Sequence, residues 1–219
     1  MKRSKFLKKI MILFILSFVV FAGGCANKEQ SKVDGSPKAT EKGVNDKNPI
    51  VTIEMEDGGV IKVELYPEIA PNTVRNFVSL VQSKFYDGLI FHRVISGFMI
   101  QGGDPDGTGG GGPGYSIKGE FSNNEFDNAL KHERGVISMG RVDKQNNSAG
   151  SQFFIMVNDV SSLDGDYASF GKVTEGMETV DKIVSVETGN GDRPKKDQKM
   201  KKVTVDTFGV KYADVEKVK

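Results

Sequence analysis

The stretch from Phe91 to Asp104, FHRVISGFMIQGGD, holds the side chains best suited to chemistry in this chain. It places Arg93 and Gln101 among large apolar residues, on two strand-like runs that a Ser-Gly pair joins. Because a guanidinium cannot lose its proton in a protein, Arg93 must be paired or lie at a surface, and its neighbours indicate the rim of an apolar pocket. A permanent cation at such a rim would donate hydrogen bonds to a bound molecule. On this stretch alone, a solvated surface arginine is the alternative.

Other residue types that often do chemistry are expected to be structural here. Strand alternation turns the ring of His92 away from the face of Arg93, and His132 lies in a turn with charged neighbours. Two distant histidines and a single cysteine are a poor set of metal ligands, so we expect no metal site. Ser148 and Ser151 lack His and Asp partners at a recognisable spacing, which disfavours hydrolysis.

The glycine-rich segment Gly107–Gly114 does not match a phosphate-binding loop. Tyr115 and Ser116 follow it where that motif needs Lys and then Ser or Thr, and no change from strand to helix is evident. We predict instead a conformationally permissive loop beside a ligand groove.

Short strand-like runs and two helical ones must position these residues. Runs rich in β-branched residues at Ile50–Met55 and Val60–Tyr66 flank an Asp-Gly-Gly turn, which predicts a hairpin. Apolar residues at helical spacing predict one helix from Pro71 to about Ser83 and a second over Met177–Val184. Further strands are predicted at Gly135–Met139, Ser151–Val157, Tyr167–Val173 and Lys202–Phe208. Many short strands without βα alternation indicate an antiparallel barrel, and the charged residues 212–219 are expected to fray.

The composition fits a turn-rich β protein with a core built from Phe, since the 219 residues include 26 Gly, 14 Phe and no Trp. That length accommodates one domain with appendages, or at most two small domains. The formal charge of +1 hides an asymmetry. Residues 1–24 hold five of the 30 Lys and Arg and no acid, so the remaining chain has 25 basic against 29 acidic residues, or −4. A mildly acidic chain without a long basic patch is a poor nucleic-acid binder.

The N-terminal segment has the layout of an export signal. Basic residues precede an apolar run at Ile10–Ala22, which reaches only about 20 Å as a helix and so is too short for a hydrocarbon core of about 30 Å. The small residues before Cys25 resemble the lipobox of bacterial lipoproteins, although Ala22 stands where that motif usually has Leu. The resemblance implies cleavage of residues 1–24 and acylation of Cys25, with an uncleaved anchor or a free N-terminal cysteine as the alternative. Residues 25–48 show no apolar period and are predicted to be a flexible tether.

Three sequence blocks follow in a fixed order: Phe91–Asp104, Gly150–Ile155, and Leu163–Gly165 leading to Phe170–Val173. Together they resemble the cyclophilin family of peptidyl-prolyl cis/trans isomerases. The resemblance implies a mainly β fold, a closed eight-stranded antiparallel barrel capped by two α-helices, with the active groove on its outer wall. The implied isomerase domain covers residues 49–209, and a charged tail at 210–219 follows it.

The resemblance also implies roles for single residues. Arg93 is then the catalytic arginine, and Gln101 engages the substrate backbone and steadies Arg93. The implied pocket for the proline ring is formed by Phe98, Met99, Phe154 and Leu163, and the rest of the groove by Gly140, Arg141, Gln152 and Tyr167. No cofactor and no metal is implied.

Three positions depart from the pattern of the cytosolic eukaryotic members. Tyr167 stands where a histidine is common, Arg141 replaces a frequent asparagine, and Ser162 replaces a tryptophan that helps to bind cyclosporin. We expect isomerase activity because Arg93 and the apolar floor are retained. Strong cyclosporin binding is not expected.

These predictions describe a monomeric, extracytoplasmic peptidyl-prolyl isomerase that a lipid anchor holds on the membrane of a bacterium. Its expected partners are proline-containing segments of exported polypeptides, since proline isomerisation is a slow step of folding. Nucleic acid is not an expected partner. The main alternative is a cyclophilin-like module that binds proline-containing peptides, or acts as a chaperone, with little turnover; a structural surface barrel is a third interpretation.

Overall fold

The computed structural model describes residues 47–218. The predicted signal peptide at 1–24, the predicted acylation site Cys25 and nearly all of the predicted tether lie outside these described residues. Within residues 47–218, no helix combines the length and the apolar character needed to cross a membrane.

The described chain is mainly β with two α-helices, as the sequence predicts. The helices are α1 (Pro71–Gln82) and α2 (Met177–Val184). The strands are β1 (Ile50–Met55), β2 (Val60–Leu65), β3 (Arg93–Ile95), β4 (Met99–Gly102), β5 (Ser116–Ile117), β6 (Val136–Met139), β7 (Phe153–Met156), β8 (Ser169–Glu175), β9 (Met200–Asp206) and β10 (Lys217–Val218). The helices and long strands predicted from the sequence agree with these bounds to within two residues at either end, whereas the short strands β5 and β10 were not predicted.

Eight strands form one antiparallel sheet in the order β3-β4-β7-β6-β8-β2-β1-β9, and β10 pairs with β5 in a separate ladder. The two edges of the large sheet are β3 and β9. Among the described residues these two strands share no ladder, so the sheet is an open half-barrel. The prediction of a closed eight-stranded barrel is therefore wrong, although the eight strands and their antiparallel pairing are present.

The opening between the two edge strands has a local cause. Just ahead of them, Ile90 and Lys199 form an isolated antiparallel bridge. The residues that would continue this bridge along β3 belong to the loop after α2, and that loop folds back on itself. Its Lys195 N–H donates to the carbonyl of Glu187 at 2.9 Å. The pairing therefore stops before Arg93, and β3 has a strand partner on one side only within the described chain.

The β1–β2 hairpin forms as predicted, around an Asp-Gly-Gly turn. The N–H of Met55 donates to the carbonyl of Gly59 at 2.8 Å, and Gly58 has a φ of 89°, a conformation that glycine adopts without strain. Alternate residues of both strands are buried, so one face of the hairpin packs on the core.

An aromatic cluster fills the space between α1 and the sheet. The ring of Phe77 in α1 lies 5.0 Å from Tyr86, 5.3 Å from Phe153 and 5.2 Å from Phe170, measured between centroids. All four rings are buried. We call these four residues the aromatic core. Tilted and edge-on contacts of this kind are favourable beyond the apolar area that they bury, so the core is built from Phe and Tyr as the composition predicts.

Strand β7 separates the aromatic core from a second apolar cluster. Because successive side chains of a strand point to opposite faces, Phe153 enters the aromatic core and Phe154 lies on the other side of the sheet. There Phe154 packs with Met99, Val136 and Met156. We call these four residues the groove cluster, because they lie beneath the cavity described below.

The C-terminal residues pack against the domain. Lys217 and Val218 pair with β5, and the carboxylate of Glu216 lies 3.0 Å from the guanidinium of Arg75, whose side chain is 9% exposed. A buried guanidinium needs a partner that offsets its lost hydration, and Glu216 supplies it. The prediction that residues 212–219 fray is therefore wrong for the part of this tail that the structure describes.

Candidate active site

The β3–β4 hairpin places Arg93 and Gln101 side by side. These two residues are directly opposite each other in the ladder, and Ile95 is opposite Met99. The turn between them closes through the N–H of Phe98, which donates to the carbonyl of Ile95 at 3.1 Å. Strand periodicity puts the side chains of Arg93 and Gln101 on the outer face of the sheet, which is the face of the groove cluster.

A cavity of about 480 Å³ opens above the groove cluster. In the pairing of β4 with β7, Phe154 is opposite Gln101 and Met156 is opposite Met99. Phe154 is 7% exposed, and its ring meets the ring of Tyr167 edge-on, with centroids 5.6 Å apart. Of the residues predicted for the site, all but Gln152 line this cavity, namely Arg93, Phe98, Met99, Gln101, Gly140, Arg141, Phe154, Leu163 and Tyr167.

Gln152 lies beside this cavity and fixes the amide of Gln101. Its Nε2 donates to the carbonyls of Gly109 and Gly111, both at 3.0 Å. The Oε1 atom of Gln152 accepts a hydrogen bond from Gln101 Nε2 at 2.9 Å. This bond uses one of the two N–H donors of Gln101 and orients its amide, and the carbonyl oxygen of Gln101 has no partner among the described residues and can accept a hydrogen bond.

The glycine-rich loop that supplies these carbonyls is organised by Asp104, which is 1% exposed. Its carboxylate accepts hydrogen bonds from the backbone N–H groups of Asp106 at 2.8 Å, Thr108 at 2.9 Å and Gly109. Burial acts to raise the pKa of Asp104, but the backbone donors outweigh it and the pKa is lowered. A Cβ at Gly111 would lie 2.0 Å from Asp104 Oδ1, so only glycine fits there. The predicted permissive loop beside the groove is thereby confirmed.

The side chain that accompanies Arg93 is Asp192, which the sequence analysis missed. Arg93 Nε lies 3.4 Å from Asp192 Oδ2, and both side chains are nearly half exposed, at 41% and 48%. Asp192 belongs to the loop after α2, which also contributes Asn190, Gly191 and Arg193 to the cavity wall. No hydrogen bond joins the side chains of Gln101 and Arg93 among the described residues, so the predicted steadying contact is absent here. No local sequence pattern connects a loop residue to an arginine about a hundred positions earlier.

Arg141 closes another side of the cavity. Its Nε donates to the carbonyl of Asp166 at 2.8 Å, and its guanidinium carbon lies 4.7 Å from the ring centroid of Tyr167 and 5.6 Å from that of Phe121. Stacking of this kind holds a planar guanidinium in one orientation. The backbone N–H of the preceding Gly140 donates to the carbonyl of Gln152 at 2.8 Å.

The two histidines take different places. His132 is 2% exposed, stacks on Phe154 with centroids 6.0 Å apart, and places Nδ1 3.1 Å from Asp164 and Nε2 3.0 Å from Ser138 Oγ. Burial lowers its pKa, and Asp164 opposes that shift. His132 is structural, as predicted, and it forms the back of the groove cluster, which was not foreseen.

His92 is buried as expected of a structural residue, and its ring nitrogens have no partner among the described residues. It nevertheless lies in the wall of the same cavity as Arg93. Because both ring nitrogens are buried, this contact with the cavity does not show that the ring faces Arg93, and the predicted direction of His92 stays a prediction. Residue 92 precedes β3 and is not part of it, so strand alternation does not govern the direction of its side chain.

Comparison with known proteins gives a consistent result. The family model described as cyclophilin type peptidyl-prolyl cis-trans isomerase matches residues 50–205. Peptidyl-prolyl cis-trans isomerase B of Bacillus subtilis is 52% identical over 124 residues, which cover 57% of this chain and 82% of that protein. The peptidyl-prolyl cis-trans isomerase of Helicobacter pylori is 47% identical over 139 residues, covering 63% of this chain and 81% of that protein.

Solved structures agree with these sequence matches. A cyclophilin type isomerase of Cryptosporidium parvum, crystallised in the presence of the dipeptide Ala-Pro, superposes with a TM-score of 0.66 at 34% identity. The match covers 72% of this chain and 99% of that one.

Proposed function

The chain belongs to the cyclophilin-type peptidyl-prolyl cis-trans isomerase family, and from that premise we propose that Arg93 and the cavity beside it accelerate proline-limited folding of exported proteins at the outer face of the cell membrane. The observation that carries the assignment of the site is geometric. A guanidinium that cannot be neutralised lies on the rim of an apolar cavity, directly across a strand pair from Gln101.

Rotation about a prolyl peptide bond must cross a barrier of roughly 18–20 kcal/mol, because resonance between nitrogen and carbonyl is lost in the twisted state. In that state the nitrogen becomes pyramidal, and its lone pair is localised on the nitrogen instead of shared with the carbonyl. A cation that donates a hydrogen bond to this lone pair stabilises the transition state more than either planar ground state. Arg93 carries such donors, and the reaction needs no nucleophile.

The ion pair with Asp192 leaves the end of the Arg93 side chain available. The atom next to Asp192 is Nε, so both terminal nitrogens are left to reach a substrate. Because this pair is nearly half exposed, it is weak and screened by solvent. Asp192 therefore lies beside Arg93 without occupying the donors that the mechanism needs.

The apolar side chains beneath the cavity account for the rest of the expected rate acceleration. Shortening a process of tens of seconds to milliseconds needs about 10⁴-fold acceleration, or about 5.5 kcal/mol. One well-placed donor supplies about 3–4 kcal/mol by analogy with oxyanion sites. The remainder is assigned to the cavity above Met99 and Phe154, because a twisted amide has lost charge separation and is penalised less for leaving water.

Gln101 binds the peptide backbone in this scheme. Gln152 holds its amide in one orientation, and in that orientation its carbonyl oxygen accepts a hydrogen bond from a backbone N–H of the substrate. The crystallisation of the Cryptosporidium parvum relative with Ala-Pro supports a proline-containing ligand for this cavity.

The proposed location rests on the sequence of residues 1–48. A cleaved signal at 1–24 and an acylated Cys25 would tether the domain to the membrane, where newly exported chains fold. Labelled palmitate should enter the wild-type protein in cells and be lost from Cys25→Ala. Equal labelling of both proteins would contradict acylation at Cys25 and leave the isomerase assignment intact.

The catalytic proposal is tested with a soluble form that lacks residues 1–25, in an assay that follows cis-to-trans conversion of a prolyl peptide. Arg93→Ala should lower kcat/KM about 10²–10³-fold, the loss expected for one transition-state donor. Arg134→Ala is the matched control, since Arg134 pairs with Asp181 away from the cavity. Equal rates for Arg93→Ala and wild type would remove the mechanism.

The same assay separates the enzyme from the alternative peptide-binding module. A module without turnover would bind the peptide saturably, and the rate of conversion would stay at its uncatalysed value.

A further inference from the structure

The groove has an unbalanced charge. A second cavity of about 400 Å³ adjoins the first and shares Gln101, Gly109, Gly140 and Arg141 with it. The residues that line the two cavities include three arginines, Arg93, Arg141 and Arg193, and no Asp or Glu. This contrasts with the chain from Cys25 onward, whose formal charge is −4. The positive groove is thus a local feature that overall composition does not explain.

Two of the three guanidiniums have acidic partners. Arg93 lies 3.4 Å from Asp192 and Arg193 lies 3.4 Å from Asp197. Arg141 takes part in none of the ion pairs found among residues 47–218. Among the arginines of the groove, Arg141 is therefore the one with no carboxylate within 4.0 Å in the described chain.

The acidic residue nearest to Arg141 in its hydrogen-bond network is not an ionic partner. Asp166 contributes its backbone carbonyl to Arg141 Nε, while its carboxylate accepts a hydrogen bond from Asn123 Nδ2 at 2.8 Å. Arg141 is instead held by backbone carbonyls and by the faces of Tyr167 and Phe121. These contacts orient the guanidinium and use part of its five N–H donors, but they do not neutralise it.

From this arrangement we infer that Arg141 gives the isomerase a preference for substrates with an acidic side chain close to the proline. The proline ring occupies the cavity above Phe154, and Arg141 lines both this cavity and the second one. An extended peptide advances about 3.3–3.6 Å per residue, so side chains one to three residues from the proline come within reach of Arg141. This inference rests on the proposed function, since it names the substrates of the same groove.

A carboxylate suits this position better than a neutral side chain. A stacked guanidinium presents its remaining donors in a planar fork that matches the two oxygens of a carboxylate. Orientation is provided by Tyr167 and Asp166, so less side-chain entropy is lost on binding than for a free surface arginine. The groove is open to solvent, so the expected preference is modest, about two- to fivefold in kcat/KM at low salt.

The test compares matched peptides that differ only in Glu or Gln, placed one, two or three residues from the proline on either side. A protease-free assay is used because a coupling protease has its own side-chain preferences. For the wild-type protein, the kcat/KM ratio of Glu to Gln should be about two to five at one or more positions and fall toward one in about 1 M salt, where the screening length is about 3 Å.

Two substitutions assign the preference to Arg141. Arg141→Gln and Arg141→Asn should bring the Glu to Gln ratio to about one, whatever the absolute rate on the Gln peptides becomes. A far-UV circular dichroism spectrum like that of the wild-type protein shows that each variant is folded. Arg134→Gln removes one positive charge elsewhere on the surface and should leave the ratio unchanged.

Two outcomes would overturn the inference. One is a ratio of one at every position in the wild-type protein, which would make Arg141 a purely structural residue. The other is a ratio that survives in both Arg141 variants. Failure of the wild-type protein to accelerate any peptide is a different result, and it would contradict the proposed function itself.

Discussion

Phe153 and Phe154 are neighbours in β7, yet their side chains lie in regions of opposite character. Phe153 joins the aromatic core, where its contacts are other fully buried rings. Phe154 joins the groove cluster, which has the 480 Å³ cavity in front of it and the hydrogen-bonded ring of His132 behind it. The same residue type therefore stabilises the fold at one position and shapes a binding surface at the next.

The comparison shows how an exposed apolar surface is kept in shape. The aromatic core needs no polar support, since close packing alone fixes its side chains. The groove cannot pack on its open side, so polar groups hold its parts: Asp104 holds the loop, Gln152 holds Gln101, and His132 backs Phe154. Changes in the core should therefore cost stability, and changes in the groove should cost activity.

The largest effect on the free energy of unfolding is expected from alanine substitutions of Phe153 and Phe154. Phe153→Ala should lower the free energy of unfolding by about 3–5 kcal/mol, because it leaves a buried cavity. Phe154→Ala should cost less, about 1–3 kcal/mol, since the space it leaves joins an open cavity that water can enter. Chemical denaturation measures both values. The activity per folded molecule should fall in Phe154→Ala and be retained in Phe153→Ala, and equal stability losses would break the comparison.

A smaller effect is expected from loosening the glycine-rich loop. Asp104→Asn keeps the side-chain volume but removes one acceptor oxygen and the charge that several backbone N–H groups share. We expect a loss of about 1–3 kcal/mol in unfolding free energy, together with a rise in KM, because the carbonyls that orient Gln152 lose their support. Asp106→Asn is the matched control, since it makes the same charge change on an exposed side chain of the same loop. Similar losses in both variants would show that net charge, not the loop, matters.

The smallest effect is expected from pH. Burial lowers the pKa of His132 and of His92 below the ordinary value of 6.5. The unfolded chain then binds more protons than the folded one as the pH falls below 6.5, so the free energy of unfolding should decrease in that range. Well above pH 6.5 both histidines are neutral in the folded and in the unfolded chain, so they do not reduce the free energy of unfolding there. Unfolding free energies measured at neutral and mildly acidic pH should differ less for His132→Gln than for wild type.

The pH experiment also sharpens the comparison of the two regions. His132 lies behind Phe154 in the groove cluster. The aromatic core of Phe77, Tyr86, Phe153 and Phe170 contains no histidine. Isomerase activity should therefore fall at a higher pH than the near-UV circular dichroism of the buried rings. Coincident transitions would mean that the groove and the core respond to acid as one unit.

Much of the fold follows from local sequence. The β1–β2 hairpin depends on a turn of Asp and Gly between runs of β-branched residues, and both helices on apolar residues at helical spacing. Such signals involve neighbours in sequence, so they can be recognised without tertiary contacts. The predicted closed barrel was wrong because closure depends on how β3 meets β9, and the loop after α2 decides that.

The residues of the site were largely predictable from the sequence, but the contacts that hold them were not. The predicted site residues within 47–218 lie in or beside one cavity because strands β3, β4 and β7 and the segments that follow β6 and precede β8 meet there. Asp192 beside Arg93, His132 behind Phe154 and the docking of Glu216 on Arg75 were missed. Each pairs residues that are distant along the chain or lie in irregular segments, where no periodicity indicates a direction.

The sequence by itself determined the strands, the helices and the arginine with its apolar neighbours, because these depend on side-chain type and on the period of two or 3.6 residues. Tertiary structure alone decided that the sheet stays open, that Gln152 orients the amide of Gln101, and that Arg141 has no ion-pair partner in the described chain. These properties depend on loops that meet in space, and the free energy of such contacts is set by geometry that no local pattern encodes.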